Sequence, residues 1–277
     1  MDKYYNLPEY TDANTQFEDY LDSCKIIQDE HKEIGKLKVS TITITTPFCK
    51  DINLKTIYDN IKLNDEIIYI QFGKNNVRGV KKSAKVKESK TDKKVSFSNQ
   101  LSVGIQCCDP EHNHKNPISI KIFKNGNMQM TGSKTIKEAE IMFNKLVKNL
   151  DPIENCVVDI KPFHEDNIQI EMINGTFIVN YKVDLEKLSN FFTSNYDQTD
   201  VYVNTEKKSP VACYLKRFGY IDERKKKEKT PSVFVYNSGA VNIISSSKEI
   251  LYNSYDFMKD VFYKNYEEVV EKKFIFE

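Results

Sequence analysis

The chain has 277 residues, with 41 Lys+Arg against 40 Asp+Glu, and the formal net charge of +1 predicts no partner for the chain as a whole. That length admits one large domain or two small ones with a sizeable core. No apolar stretch is long enough to span a membrane, and the N-terminus lacks the apolar core of a signal peptide. The six cysteines follow no regular framework, which suits a reducing, intracellular setting.

Charge is uneven along the chain. Residues 1–34 read as an acidic N-terminal arm, with Tyr4, Tyr5, Phe17 and Tyr20 among its carboxylates. It is either a short helix packed on the domain or an arm that orders on binding. Leu37 to Ile44 alternates in β-branched residues and reads as a strand ended by Pro47. Asp51 or Asn53 then caps a helix running from Leu54 to about Leu63. Glu66 to Phe72 is a short strand. A basic run from Lys74 to Lys94 has almost no apolar content and reads as a flexible insertion over about 73–96.

Phe97 to Cys107 resumes a strand, and Ile118 to Lys134 is a hairpin turning at Asn125-Gly126, a pair that tolerates positive φ. Ile118, Ile120, Ile122, Met128 and Met130 form its apolar row. The opposite row carries Ser119, Lys121, Gln129 and Thr131, with Phe123 as a large aromatic among them. Thr135-Ile-Lys-Glu138 is a capping box for a helix whose apolar residues, from Ile136 to Leu150, recur at helical spacing. Asp151-Pro152 stops it.

The same order of events then returns. Ile168 to Val179 is strand-like, and Val183 to Leu188 mirrors Ile52 to Ile57. Pro210 to Leu215 is a strand, Asp222 to Lys229 a charged loop, and Ser232 to Ile244 a hairpin with Ser238-Gly239 at its turn. Here Val233 and Val235 belong to the core row, while Phe234 and Tyr236 point the other way. Ser246-Ser-Lys-Glu249 opens a second long helix whose apolar residues run to Val269. A duplicated unit is the simplest reading, divided as residues 35–152 and 153–277. Two such halves leave one sheet face bare, with Phe123 in one and Tyr236 in the matching place of the other. An aromatic patch on a broad sheet marks a binding surface.

Catalytic signals are absent: no phosphate loop, no Gly-x-Ser-x-Gly elbow and no His-Glu-x-x-His. An enzyme is not expected, and neither is a cofactor. Cys107, Cys108, His112 and His114 invite a metal reading, but adjacent cysteines on a strand face opposite ways and their spacing matches no common zinc module. Lys216 and Arg217 are candidates for contacts to nucleic-acid phosphates.

Val39-Ser-Thr, Leu54-Lys-Thr, Ile122-Phe-Lys-Asn-Gly and Thr131-Gly-Ser-Lys resemble the first repeat of the TATA-binding protein family. Pro210-Val-Ala-Cys-Tyr and Val235-Tyr-Asn-Ser-Gly resemble its second. The resemblance covers roughly residues 35–270. The inserted stretch, with Asn75-Asn-Val-Arg-Gly79 and Phe97-Ser-Asn-Gln100, is similar to divergent members from giant DNA viruses.

That resemblance implies an α+β, pseudo-two-fold saddle: a curved antiparallel sheet with long helices on its convex face and the DNA minor groove on its concave face. It implies a general transcription initiation factor acting as a monomer on double-stranded, AT-rich promoter DNA. A transcription factor IIB-like factor and the RNA polymerase machinery are its implied partners, with no membrane involved. For a viral chain the implied location is a cytoplasmic viral factory or the virion, and otherwise the nucleus. Phe123 and Tyr236 take wedge positions, and Phe97 or Asn99 the partner wedge of the first repeat. Lys121, Phe234, Gln129, Thr131, Asn242 and Ile244 take concave-face positions beside them. Val39, Met172 and Asn174 lie on the central strands. The family's central asparagine is replaced by Met172 in the second repeat and by Leu37 or Ser40 in the first. A saddle acting only as a protein-assembly scaffold is the competing reading, favoured by those replacements and by Lys121 and Gln129.

Overall fold

A computed structural model describes residues 33–73, 76–79, 99–106, 117–204, 209–222 and 226–271. They form two compact units. One holds Val39–Asn174 with Ser246–Lys248; the other holds the remaining described residues. They are called here the N-terminal and C-terminal units.

The N-terminal unit opens with β1 (Lys38–Pro47), which runs past Ile44 to the proline. After β2 (Asp51–Ile52) comes α1 (Leu54–Asn60). Its cap is Asn53, whose side chain accepts from the Thr56 amide at 3.0 Å, whereas Asp51 turns its carboxylate onto the Ile52 amide at 2.7 Å. The helix stops at Asn60, short of Leu63, because Ile61 adopts extended backbone and buries its side chain. β3 (Ile67–Phe72) follows, and then β4 (Asn76–Gly79) pairs antiparallel with it. The basic insertion read from the sequence therefore begins with a strand. Arg78 is what holds it. Its guanidinium donates to the carbonyls of Tyr58, Asp59 and Ile61 at the open end of α1, and lies 5.8 Å from the Tyr58 ring centroid.

β5 (Gln100–Ile105), β6 (Ile118–Phe123) and β7 (Asn127–Ser133) complete an antiparallel sheet in the order β1-β7-β6-β5-β3-β4. Gly126 takes φ of +77° in the β6–β7 turn, as the Asn-Gly signal requires. Ile70, Val103, Ile120, Met130 and Ile44 face one another across the strands and are all buried. α2 (Ile136–Leu150) buries Ala139, Met142, Phe143, Leu146 and Leu150 and packs on β7. Its cap is Thr135, whose Oγ1 accepts from the Glu138 amide at 3.1 Å, while the Glu138 carboxylate accepts from the Lys134 amide, one residue before the cap, at 2.6 Å. β8 (Val157–Val158) pairs with β2, a contact not anticipated from the sequence.

β9 (Gln169–Ile178) contains the boundary between the units, at Asn174/Gly175. In the C-terminal unit, α3 (Leu185–Asn195) is capped by Asp184, which accepts from the amides of Glu186 and Lys187 at 3.1 and 3.0 Å. β10 (Val201–Asn204) and β11 (Val211–Leu215) follow. The loop expected over Asp222 to Lys229 instead includes a small hairpin, β12 (Tyr220–Asp222) with β13 (Lys227–Lys229). Buried Asp222 holds it through an ion pair with Lys229 at 2.9 Å. β14 (Ser232–Val235) and β15 (Ala240–Ser245) form the second large hairpin.

The strand order β9-β15-β14-β11-β10 repeats β1-β7-β6-β5-β3. α4 (Lys248–Lys264) lies on the core side of β9. A Cβ added at Gly175 would come within 2.9 Å of Leu251 on this helix, and Phe177 packs edge-on to Tyr255 at 5.0 Å. The helix expected to run on to Val269 is broken at Asn265, and α5 (Tyr266–Val269) follows as a separate turn. No helix among the described residues is long and apolar enough to cross a membrane.

Each unit is thus α+β, an antiparallel sheet with its long helix on one face.

Candidate nucleic-acid interface

Alternation puts a second set of side chains on the sheet face away from the helices. In the N-terminal unit, Lys121 sits across from Gln129 on one side and Ser102 on the other. Ser119 and Thr43 flank Thr131 in the next row, where the Thr43 and Thr131 hydroxyls are 3.2 Å apart. Phe123 ends β6 opposite Gln100. Lys121, Phe123, Gln129 and Thr131 are all half-buried. Hydroxyls, amides and one ammonium dominate these rows. A carboxylate enters beside them at Glu171, which accepts from Thr45 at 3.1 Å. Such a surface offers hydrogen bonds to groove edges with little charge repulsion toward a polyanion.

In the C-terminal unit, Phe234 lies between Ala212 and Asn242, and Ser232 between Tyr214 and Ile244. Phe234, Asn242 and Ile244 are half-buried on this face. Tyr236 falls just beyond β14, its amide bonded to the Ala240 carbonyl at 2.9 Å. Two further aromatics share the face. Tyr202 and Tyr214 are cross-strand partners with ring centroids 5.9 Å apart, and Tyr202 is 40% exposed.

The two basic candidates part company. Both lie in a 3-10 turn directly after β11. Lys216 holds its ammonium 5.4 Å from the Tyr202 ring centroid, beside the aromatic face. Arg217 is drawn to the helix side, 3.3 Å from an Asp200 oxygen and 5.0 Å from the Phe257 ring centroid on α4. Phe97 lies outside the described residues, as do Cys107, Cys108, His112, His114 and the acidic arm up to residue 32. Among the described residues no group of three or more His, Cys, Asp or Glu converges on a metal-sized space. Burial pushes the Cys49 thiol up to about 11, with Asp51 and Cys156 adding to the shift, and burial pushes Cys213 up to about 12.

No family model matches the chain. A curated sequence from Acanthamoeba polyphaga mimivirus, TATA-box-binding protein-like, is 29% identical over 279 residues, spanning 92% of this chain and 71% of that one. The likeness to the TATA-binding protein family holds. Among solved structures, Methanococcus jannaschii TBP aligns over 82% of this chain and 98% of its own length, at a TM-score of 0.49 and 16% identity.

The central strands hold the positions where the resemblance expected an asparagine. Leu37 is fully buried in the C-terminal unit, and a Cβ added at Gly175 would come within 2.9 Å of its side chain. Ser40, the other candidate for that place, is exposed and donates from its hydroxyl to the Asn174 carbonyl at 3.1 Å. Val39, Met172 and Asn174 are half-buried. The Asn174 side-chain oxygen is buried without a hydrogen-bond partner among the described residues.

Sequence reasoning missed Tyr202 and Tyr214. Val201-Tyr-Val-Asn204 does alternate, but it is only four residues long and meets the charged Glu206-Lys-Lys208. Tyr214 lay inside a recognised strand, between buried Cys213 and Leu215, so alternation alone assigns it to the outer face.

Proposed function

We propose that this chain is a DNA-binding transcription initiation factor of TATA-binding type, docking its helix-free sheet faces on the minor groove of AT-rich promoter DNA. The observation that carries the reading is the paired make-up of those faces. In each repeat an aromatic stands at or just past the end of a hairpin strand on the helix-free face: Phe123 beside the polar rows of Lys121, Gln129 and Thr131, and Tyr236 beyond the mixed rows of Phe234, Asn242 and Ser232. The relative's name supplies the DNA element. An aromatic inserted at a base step unstacks it, and the bent duplex then covers more protein surface. Phe123 and Tyr236 are the wedges, with Phe234, Tyr202 and Tyr214 adding apolar area and Lys121 and Lys216 meeting phosphates. The bent complex then receives a transcription factor IIB-like factor and RNA polymerase, with one copy of the chain per site.

Gel-shift titration of the full chain on an AT-rich duplex, repeated over a range of salt, tests the binding. The expected result is a shifted complex whose affinity falls linearly on a log–log salt plot. Absence of a complex at low salt would overturn the reading in favour of a protein scaffold. Fluorescence transfer between duplex ends tests the wedge: Phe123→Ala reduces bending more than Lys121→Ala. Equal bending in the two variants removes Phe123 from that role.

A further inference from the structure

The two repeats match closely where their first helices begin. The Asn53 amide donates to Cys156 O at 2.8 Å, and the Asp184 amide donates to Val269 O at 2.8 Å. Ile52 pairs with Val157, and Val183 bridges to Val270. These contacts align Val158 with Glu271, and the two hairpin turns align Lys124 with Asn237.

In the C-terminal unit a side chain spans that place. Asn237 Nδ2 donates to Val183 O and to a Glu271 carboxylate oxygen, each at 2.9 Å. In the N-terminal unit the same place is a cleft of about 550 Å³, with Ile52, Leu54, Phe72 and Val158 as its apolar walls and Lys124 and Asn155 on its polar side. Val158 is 50% exposed where its counterpart is a glutamate. Lys124, exposed in the turn, has among the described residues no counterpart of the carboxylate that Asn237 faces. Of the other charges lining the cleft, Lys55 pairs with Asp59 at 2.6 Å, and Asp51 accepts from the Ile52 amide at 2.7 Å while keeping its negative charge.

We propose that this cleft docks an acidic peptide segment of a partner protein. One carboxylate of the segment seats on Lys124, and an apolar neighbour lies against Phe72 and Val158. The filled counterpart shows the chemistry that suits the place, a carboxylate beside the turn side chain. The apolar walls favour a peptide with an apolar side chain over a phosphate backbone, whose charged oxygens would lose hydration against them. The site lies wholly in the N-terminal unit and does not depend on the DNA-binding reading.

The probe is an acetylated and amidated hexapeptide, Tyr-Glu-Glu-Val-Val-Glu, the sequence of residues 266–271 that completes the counterpart. It is titrated into the isotope-labelled full chain while amide resonances are followed. The signals of Asn53, Asn99, Lys124, Asn155 and Val158 are expected to move. Lys124→Glu weakens binding about tenfold, a charge reversal counted as two exposed ion-pair increments. Val158→Glu, which supplies the carboxylate from the chain itself, also removes binding. The remaining spectrum of each variant reports its fold. Equal shifts with a peptide whose glutamates are replaced by glutamines overturn the proposal. So do Lys124 shifts that answer to an AT-rich duplex and not to the peptide, which would assign the cleft to DNA phosphate.

Discussion

The ring of Tyr69 occupies the space that a side chain at residue 104 would need: a Cβ built on Gly104 would sit 1.9 Å from a Tyr69 ring carbon. The two residues face each other across β3 and β5, and the Tyr69 hydroxyl reaches Ser119 at 3.3 Å. Tyr69 is 4% exposed although it belongs to the helix-free face, so part of that face is filled from within the unit. Gly104→Ala is expected to cost about 1–3 kcal/mol in urea denaturation through overpacking. In a Tyr69→Ala background the same change should cost much less, a coupling that a double-mutant cycle measures. Additive effects would mean that the ring does not lie over the glycine.

Tyr202→Ala removes the exposed member of the Tyr202–Tyr214 pair and the ring beside Lys216. Under the DNA reading it weakens binding to an AT-rich duplex about fivefold or more, a loss of about 1 kcal/mol of stacking or apolar contact. Arg217→Ala should act differently, because that guanidinium is held by Asp200 and Phe257. It lowers the thermal midpoint more than it lowers affinity. The two variants, compared by calorimetry and gel shift, separate the aromatic face from the helix side.

Cys213 is fully buried, and its thiol is pushed from the ordinary 9.0 up to about 12. Between those values the unfolded chain sheds a proton that the native state keeps. The stability from this group is therefore complete below pH 9 and is lost as pH rises toward 12. Wild type should lose stability relative to Cys213→Ala over that window, by at most about 1.4 kcal/mol per pH unit. Urea titrations at pH 8 and pH 10.5 check it; a constant gap between the two proteins would rule the thiol out.

The two helix caps should give unequal losses. Asp184 accepts from two amides, and Asn53 from one. Replacement by alanine costs about 0.5–2 kcal/mol in each case. The larger loss is expected for Asp184→Ala, read from urea midpoints.

Elements set by local chemistry were legible in the chain alone. Asn125-Gly126 and Ser238-Gly239 marked both hairpins, Thr135 marked the cap of α2, and the mirrored Ile52-Asn53 and Val183-Asp184 revealed the duplication. β4, β10 and β12–β13 were not legible, because short strands of mixed composition owe their existence to partners and side chains elsewhere. Nothing near Arg78 in the sequence points to the carbonyls of Tyr58 or Ile61. Similarly, the face of Tyr69 follows from the absence of a side chain at Gly104. At the candidate site, Phe123 and Tyr236 stood out as aromatics in polar rows, whereas Arg217 could not be separated from Lys216 without seeing Asp200 and Phe257.

Arg78 ties the sheet edge to a helix too short to persist alone: seven residues fall well below the length at which isolated helices hold together. The carbonyls that α1 cannot satisfy are met by a strand that, among the described residues, has a neighbour on only one side. Loss of either element is expected to loosen the other. Hydrogen exchange should accordingly find the amides of Ile57 to Ile61 and those of Asn76 to Gly79 opening together, as one cooperative patch that lets go before the strands behind it.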